Sequence, residues 1–344
     1  MYKQAIKPLF FLFRPEKIHK LAMDSMNMLR KIPGGKWFIR ALFQVNDASL
    51  ERKVLGLTFP NPVGMAAGFD KEGKYYNVLS DMGFGFVEIG TFTPVGQPGN
   101  PKPRLFRLPE DHALINRMGF NNSGAKEAVS RLKKRPPECI VGGNIGKNTA
   151  TPNDKATDDY SIAFETLFPY VDYFVVNVSC PNITNMKELQ DKDALLEILT
   201  TVTSLNAKKS SPKPVLLKIS PDLNWSQIDD TLEIVNKTKI DGLIATNTSI
   251  SRQNLKTPEK EVEKLGNGGL SGKPISKRST EIIRYIAQKT QKKLPVIGVG
   301  GIMTPEDAIE KLQAGADLIQ VYTGFIYEGP FIAKRINKAL LRKK

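Results

Sequence analysis

The chain has 344 residues, of which 40% are hydrophobic and 25% are charged, and its only cysteines are Cys139 and Cys180. This composition is typical of a soluble globular protein with one large domain or two ordinary ones, and it excludes a disulfide-dependent scaffold. The formal net charge of +15 favours anionic partners such as a phosphorylated cofactor, an acidic substrate, anionic lipid or nucleic acid, without choosing among them.

The same counts argue against a metal centre and against catalysis by a histidine triad. His19 and His112 are the only histidines, and the sequence has no Cys-x-x-Cys pair. Zinc sites usually draw three or four ligands from closely spaced histidines and cysteines. We therefore expect no bound metal, and the two cysteines fit a reducing compartment.

Residues 1–50 are predicted to form a small helical extension. One apolar stripe at helical spacing is made by Ile18, Leu21, Ala22, Met26 and Leu29. The apolar segment 9–13 is too short for a signal peptide or a membrane span, and no other segment qualifies as a span. Two interpretations stay open. The extension packs on the rest of the protein, or it lies on a membrane surface with Lys3, Lys7 and Arg14 near lipid phosphates.

After the extension, short apolar runs alternate with longer amphipathic stretches. The predicted strands are Pro62–Ala67, Phe84–Thr91, Cys139–Ile145, Tyr173–Ser179, Val215–Ile219, Gly242–Thr246, Val296–Val299 and Leu318–Tyr322. Strands rich in Val, Ile and Leu that are joined by helices pair in parallel with right-handed crossovers. Eight such units predict a (β/α)₈ TIM barrel over residues 51–344. A doubly wound open sheet is the alternative.

Polar side chains follow directly after the predicted strands. They are Lys71, Thr91, Asn144, Asn177, Lys218, Thr246, Asn247, Thr248, Tyr322 and Thr323. In a barrel the C-terminal ends of the strands meet at one mouth, where active sites are built. Structural turns need Gly, Pro and Asp rather than repeated Asn and Lys. The pattern therefore predicts a functional site at this mouth.

The segment 171–182 concentrates chemistry at the end of one strand. Its apolar run stops at Asn177, Ser179, Cys180 and Asn182. Two amides and a thiol offer donors, acceptors and a titratable group, which suits a site that holds a flat polar molecule and moves a proton on it. A buried structural cysteine beside an ordinary turn is the other interpretation.

Three further segments suggest binding chemistry. Lys218 ends an apolar strand, where an ammonium group needs an anionic partner such as a reduced flavin ring, unless it forms a surface salt bridge. The amide-rich stretch 116–122 suits a ligand with alternating C=O and N–H groups, or is an ordinary Asn-rich turn. The glycine-rich stretch 298–301 and the residues 322–324 follow the seventh and eighth strands, where barrels bind phosphate. A phosphorylated cofactor is predicted there.

Taken together, these residues resemble the dihydroorotate dehydrogenase family, which are FMN enzymes of pyrimidine synthesis. The matching segments are MAAGFDK (65–71), EIGTFTPVGQPGNPKPRLFRL (88–108), NRMGFNN (116–122), NVSCPN (177–182), LKISPD (217–222), TNTS (246–249), GGLSGKP (268–274), GVGGI (298–302) and YTGF (322–325). They extend over nearly the whole chain. The extension, with RPEKIHKLA at 14–22, is similar to that of the membrane-associated, quinone-reducing class.

The resemblance implies an oxidoreductase that removes a proton from C5 of dihydroorotate, passes hydride from C6 to FMN, and gives the electrons to a quinone. The implied FMN contacts are Ala67, Gly68, Thr91, Asn144, Asn177, Lys218, Thr246, Gly272, Gly301, Tyr322 and Thr323. The implied substrate contacts are Lys71, Asn116, Arg117, Met118, Gly119, Phe120, Asn177, Asn182, Asn247 and Thr248. The quinone head would lie near His19, Arg104 and Tyr322, in a tunnel between the N-terminal helices. We expect a monomer, peripheral on the cytoplasmic face of the cell membrane, with no nucleic-acid partner.

The resemblance makes Cys180 the catalytic base, and here the chain departs from its class. The quinone class usually carries serine at this position, and the soluble class, which uses fumarate or NAD, usually carries cysteine. The base and the extension therefore favour different classes. We follow the extension, because a base changes by one substitution whereas an apolar helical cap is costly to expose unless it is used.

Two other functions agree with parts of the sequence. The tRNA-dihydrouridine synthases are also FMN barrels with an active-site cysteine, and a charge of +15 suits RNA. Against them, the basic residues form no aromatic-interleaved cluster, and little chain follows the eighth strand. A non-catalytic scaffold on a membrane surface would instead be colourless. The segments 183–193 and 251–267 are candidate lids over the site.

Overall fold

The computed structural model describes residues 2–133, 135–136, 138–178 and 192–343. The N-terminal region is helical: a π-helical turn at Tyr2–Ile6 leads into α1 (Lys7–Phe11), α2 (Pro15–Lys31) and α3 (Gly35–Phe43). The later helices are α4 (Tyr76–Asp81), α5 (Ala125–Leu132), α6 (Ala156–Leu167), α7 (Lys192–Ala207), α8 (Trp225–Thr238), α9 (Glu259–Leu265), α10 (Ser276–Lys289), α11 (Pro305–Ala314), α12 (Thr323–Glu328) and α13 (Ile332–Arg342).

The strands build a closed barrel and two small antiparallel sheets. They are β1 (Arg52–Val54), β2 (Leu57–Phe59), β3 (Val63–Asp70), β4 (Phe86–Phe92), β5 (Leu105–Leu108), β6 (Ala113–Asn116), β7 (Ile140–Ile145), β8 (Tyr173–Asn177), β9 (Val215–Ile219), β10 (Gly242–Ala245), β11 (Gly269–Gly272), β12 (Val296–Val299) and β13 (Leu318–Val321). Around the barrel the order is β3-β4-β7-β8-β9-β10-β12-β13, and β13 pairs in parallel with β3 to close it.

The closed ring confirms the predicted TIM barrel, and the open doubly wound sheet is wrong. Every predicted strand is present within the described residues, with its ends shifted by three residues at most, as between Pro62–Ala67 and the observed Val63–Asp70. The apolar runs were sufficient because a parallel barrel strand is covered on both faces.

The sequence-based interpretation missed the short antiparallel strands. The hairpin β1–β2 lies before the barrel, and β5, β6 and β11 form a separate sheet in the order β11-β6-β5. These strands have three or four residues each, which is too short for a periodic signal. The end of β6 carries Asn116, so the amide-rich stretch begins on a strand and not in a loop.

The lower end of the barrel, where its strands begin, is filled by apolar side chains. The inward-facing ones are Phe86, Tyr173, Leu216, Ile244, Ile297 and Leu318. Phe59 of the β1–β2 hairpin packs against them, with its ring centre 5.1 Å from that of Phe86. These side chains fill this end of the barrel as a packed core, which leaves no room for a ligand.

The next inward layer is polar. Successive inward residues on a strand are two positions apart, so Glu88 lies above Phe86, Lys218 above Leu216 and Gln320 above Leu318. Asn144 joins them from β7, and all of these side chains are buried. The interior thus changes from apolar to charged towards the C-terminal ends of the strands, which positions the site there.

The N-terminal extension packs one face on the barrel and exposes the other. Arg30 and Arg40 both bind the buried carboxylate of Asp81 in α4, at 2.5 and 2.6 Å. The opposite face leaves Leu12 and Trp37 largely in solvent. Among the helices of the described residues, none combines the length and the apolar character that crossing a bilayer would require.

Candidate functional site

A cavity of about 960 Å³, including its opening to solvent, lies at the C-terminal end of the barrel. Barrel strands and the segments that directly follow them supply most of its walls, and the small β11-β6-β5 sheet supplies Asn116 and Gly272. Of the predicted FMN contacts, the structure brings these to the cavity wall: Ala67, Gly68, Thr91, Asn177, Lys218, Thr246, Gly272, Gly301, Tyr322 and Thr323. Asn144 does not line the cavity, but it is hydrogen-bonded to residues that do.

A chain of hydrogen bonds fixes the amides at this end. Thr91 Oγ1 donates to Asn144 Oδ1 at 2.5 Å and accepts from Asn177 Nδ2 at 3.1 Å. Asn247 Nδ2 in turn donates to Asn177 Oδ1 at 3.2 Å. The bonds determine which way each amide points, so the wall presents a defined pattern of donors and acceptors.

The charged layer beneath the cavity is organised by Glu88. Its Oε1 accepts from Asn144 Nδ2 at 2.7 Å, and its Oε2 accepts from Gln320 Nε2 at 2.6 Å. Lys218 Nζ lies 3.6 Å from Oε1, and the Glu88 side chain is 0% exposed. Lys218 therefore has a buried carboxylate as partner, so the alternative of a surface salt bridge is wrong. A contact of Lys218 with a flavin stays a prediction.

Sequence reasoning missed Glu88 although a signal was present. It is the one charged residue in the strand Phe86–Phe92, between apolar neighbours on both sides. A charged side chain in the middle of a buried strand needs partners inside the protein. That requirement predicts a partner inside the protein for Glu88, as it does for Lys218 in β9, but it does not say which residue the partner is.

Of the predicted substrate contacts that the structure describes, all but one line the cavity. The lining includes Lys71, Asn116, Met118, Gly119, Phe120, Asn177, Asn247 and Thr248. Arg117 is absent from it. Its guanidinium donates to Leu265 O at 2.7 Å and lies 5.0 Å over the Phe106 ring. That side chain therefore ties the amide-rich stretch to α9, and a direct contact with substrate stays a prediction.

The predicted base and one predicted substrate contact are not among the described residues. Cys180 and Asn182 fall in the gap 179–191, together with most of the candidate lid 183–193. The other candidate lid, 251–267, is described and contains α9. The chain just before α9 is held in place because the Asp111 carboxylate accepts hydrogen bonds from the backbone amides of Lys256 and Thr257. The roles of both lids stay predictions.

Glycines keep the cavity open where a flat cofactor would lie. Gly68 has a φ of +90°, and a Cβ there would point between the Tyr322 ring at 3.5 Å and Lys71 Nζ at 3.6 Å. The Gly300-Gly301 turn packs so closely on α10 that a Cβ on Gly301 would lie 2.4 Å from Ser276 Cβ. Open floor, amides, an ammonium group and a glycine turn together fit a flat phosphorylated cofactor.

The predicted quinone contacts lie where α2 meets the barrel mouth. The His19 ring packs edge-on against Phe69 at 4.6 Å, and Phe69 packs against Tyr322 at 5.7 Å. Arg104 pairs with Glu16, one turn before His19 on α2, at 3.1 Å. The structure thus brings all three predicted residues to one junction between the extension and the barrel.

Burial controls the protonation of the groups at this junction. Burial, with Lys71 nearby, lowers the pKa of His19 to about 4, so its ring is neutral at physiological pH. Burial raises the pKa of Tyr322 to about 12, and its hydroxyl donates to Gly68 O at 3.3 Å. The uncharged side chains of His19 and Tyr322, packed around Phe69, suit an uncharged ligand.

The other reactive groups in the described part of the chain form no second reactive centre. Within the described ranges, no three His, Cys, Asp or Glu side chains are placed to hold a metal ion. Burial raises the pKa of the Cys139 thiol to about 12, so it stays protonated at neutral pH.

Comparisons with known proteins agree with this geometry. The family model described as dihydroorotate dehydrogenase matches residues 49–343. A Christiangramia forsetii protein named dihydroorotate dehydrogenase (quinone) is 57% identical, covering 100% of this chain and 99% of its own. A Thermosynechococcus vestitus protein of the same name is 46% identical, covering 99% and 96%. The crystal structure of an Eimeria tenella DHODH in complex with ferulenol has a TM-score of 0.84 at 35% identity, covering 96% of this chain and 91% of that one.

Proposed function

The chain belongs to the dihydroorotate dehydrogenase family, and from this premise we propose how its cavity and its N-terminal helices perform the reaction. The protein oxidises dihydroorotate to orotate and uses a quinone as electron acceptor. The observation that carries this conclusion is the 57% identity to a quinone-dependent enzyme over 100% of this chain, extension included. The choice of the quinone class is confirmed in spite of Cys180. The tRNA-modifying and scaffold alternatives are set aside by the family assignment.

We propose FMN as the cofactor in the cavity at the barrel mouth. The family is flavin-dependent in general, and FMN would supply the acceptor for the hydride that leaves the substrate. Lys218, Asn177 and Thr246 would hold the ring system, and the Gly300-Gly301 turn with Thr323 would hold the phosphate. Support comes from the open floor at Gly68, where any side chain would project into the cavity.

The amide wall is proposed to bind the pyrimidine ring. Asn116, Asn177 and Asn247 offer both donors and acceptors, as the alternating C=O and N–H groups of dihydroorotate require. The Lys71 ammonium group also lines the cavity and would pair with the substrate carboxylate. Because Asn177 and Asn247 are hydrogen-bonded to each other, the wall is oriented before the substrate arrives.

Cys180 is proposed to take the proton from C5 of the substrate. It follows three residues after Asn177, which ends β8 in the cavity wall. The reference pKa of a cysteine thiol is about 8.5, so the thiolate that would accept the proton forms near neutral pH with less help than the alkoxide of a serine would need. Asn182, in the same segment, is proposed to contact the substrate together with the asparagines of the amide wall.

The extension is proposed to bring the quinone from the membrane. Leu12 and Trp37 are exposed on the face that does not touch the barrel, and this face would lie on the lipid surface. His19, Arg104 and Tyr322 would meet the quinone head at the junction. We propose a monomer, peripheral on the cytoplasmic face, with residues 1–50 as the membrane-associating unit and residues 51–344 as the catalytic unit.

An anaerobic titration followed by a panel of electron acceptors tests the proposal. The purified protein should be yellow, and dihydroorotate should bleach its visible absorbance. A ubiquinone or menaquinone analogue should restore the colour, and fumarate or NAD should not. A colourless protein that binds no added FMN would overturn the cofactor assignment. Reoxidation by fumarate or NAD but not by quinones would overturn the class.

A further inference from the structure

We propose that Glu88 sets the electron affinity of the flavin site by balancing the charge of Lys218. The inference rests on the proposed function, because it takes FMN as the group in the cavity. Glu88 would be a positioning residue, since it contacts the side chains around the site and does not line the cavity itself. Its role would be to limit how strongly the site favours a cofactor that has gained negative charge.

The contacts place Glu88 at the centre of the layer below the cavity. Both of its oxygens accept hydrogen bonds, from Asn144 at 2.7 Å and from Gln320 at 2.6 Å, and Lys218 Nζ lies 3.6 Å away. Lys218 and Gln320 also line the cavity. One carboxylate is therefore in contact with two side chains that would face the cofactor.

Stability alone is a weak reason for this arrangement. A buried ion pair contributes little compared with apolar side chains of the same size, because both charges lose their hydration. The layer directly below shows that apolar side chains fill this barrel well, with Phe86, Leu216 and Leu318 on the same strands. The charged layer begins where the cavity begins, which favours a role in the site.

The order of the charges determines the effect on a bound cofactor. A group in the cavity meets the Lys218 ammonium first, and the Glu88 carboxylate lies behind it. The ammonium favours a cofactor that has gained electrons, whereas the carboxylate opposes it. Removal of the carboxylate charge should therefore shift the balance towards the reduced cofactor. Because the region is buried, water screens this effect only weakly.

Glu88→Gln removes the charge and leaves the shape nearly unchanged. The new amide can still accept from Asn144 Nδ2 through its oxygen. Its NH₂ group would meet the NH₂ group of Gln320, so Gln320 must turn its amide round. In that turn Gln320 Oε1, which is buried without a hydrogen-bond partner, gains one, and Gln320 Nε2 gives up its bond to residue 88, so the number of hydrogen bonds is unchanged.

The test is the midpoint potential of the flavin-loaded enzyme, measured by anaerobic titration against a reference dye. Glu88→Gln should increase the preference for reduced over oxidised FMN about tenfold, which raises a two-electron potential by about 30 mV. Asp317→Asn is the matched control. It removes one carboxylate at the opposite end of the barrel, where Asp317 accepts from the Val296 amide, and it should leave the potential unchanged.

A second variant keeps the test decisive if Glu88→Gln does not fold. Glu88→Gln combined with Lys218→Met is then compared with Lys218→Met alone, and its potential should be about 30 mV higher, because the two variants differ only in the carboxylate charge. Equal potentials in these two variants would overturn the role of Glu88. An unchanged potential in Glu88→Gln, or an equal rise in the Asp317→Asn control, would overturn the role of Glu88. Wild-type protein that binds no FMN would instead overturn the proposed function, so the two failures are distinguishable.

Discussion

The barrel and the N-terminal extension differ from a typical globular protein in opposite ways, one by what it buries and the other by what it exposes. The barrel buries charged side chains, among them Glu88, Lys218 and Lys311. The extension exposes large apolar ones, with Leu12 at 80% and Trp37 at 73% of their surface in solvent. Both departures cost free energy in an isolated protein, so each indicates a region shaped for something besides folding.

The difference lies in how each cost is met. The buried charges of the barrel find their partners within the chain. Lys311 Nζ donates to Ser276 O, Ser279 Oγ and Thr280 Oγ1 at 3.1 to 3.3 Å, and its burial lowers its pKa to about 8. The exposed apolar side chains of the extension pack against nothing in the described structure on that face. The buried charges of the barrel therefore have partners inside the chain, whereas nothing in the described structure covers the exposed apolar side chains of the extension.

The largest expected effect concerns the chemistry of the barrel mouth. Cys180→Ala should leave FMN bound but slow flavin reduction by dihydroorotate about 10³-fold, because a general base contributes on the order of 10²–10⁴. Stopped-flow absorbance measures this rate. As the control, Cys180→Ser should keep activity with its pH optimum moved upward. Near-normal reduction in the alanine variant would remove Cys180 from the mechanism.

The second prediction concerns His19, a residue of the extension that packs against the barrel. The folded pKa is about 4 and the unfolded one about 6.5, so the unfolded state holds more protons between these values. The contribution of His19 to the free energy of unfolding is therefore constant above pH 7. It falls by up to about 3 kcal/mol as the pH drops from 6.5 to 4. Urea unfolding of wild type and His19→Asn should show this loss only in the wild type. Parallel pH profiles would contradict it.

The third prediction separates the extension from the barrel. Asp81→Asn removes the carboxylate that Arg30 and Arg40 share, which should lower the free energy of unfolding by about 2 kcal/mol. It should also speed tryptic cleavage within α2 and leave the flavin spectrum unchanged. Asp229→Asn, in an exposed pair with Lys289, is the control and should change neither quantity. If Asp81→Asn also released FMN, the two regions would not be separable.

The smallest expected effect tests the exposed apolar face itself. Leu12→Ser combined with Trp37→Ser should weaken binding to phospholipid vesicles about tenfold, since less apolar surface enters the lipid. Flotation with vesicles measures the partition. The control pair, Val95→Ser and Ile162→Ser, changes exposed apolar residues on the barrel and should bind as the wild type does. Equal losses in both pairs would mean that the extension has no special role at the lipid surface.

The fold could be predicted because each barrel strand is buried on both faces and is therefore a continuous apolar run in the sequence. The run Val215–Ile219, for example, reads as a covered strand without reference to any other part of the chain. The cavity residues could be predicted for a related reason. Polar residues at the ends of parallel strands converge at one edge, so Asn177 and Thr246 line the same cavity although they are distant in sequence.

Pairwise partners across the barrel could not be predicted in this way. Nothing near Glu88 in the sequence indicates Lys218, and nothing near Asp81 indicates Arg30 or Arg40. Such pairs depend on the curvature of the barrel and on where the extension docks, which hydrophobic periodicity does not encode. The strand β11 was also difficult to predict for this reason, because it pairs with β6, which is distant in the sequence.

The closure of the barrel between β13 and β3 has a consequence for synthesis on the ribosome. The ring cannot close until Ile319 has emerged to pair with Val63. The helix α1 is made before the barrel, yet Tyr2 and Phe11 contact Ile326 and Tyr327, which emerge after β13. The nascent chain therefore carries α1 without these contacts until α12 has been made. We expect newly made chains to be bound by chaperones or the membrane during this interval.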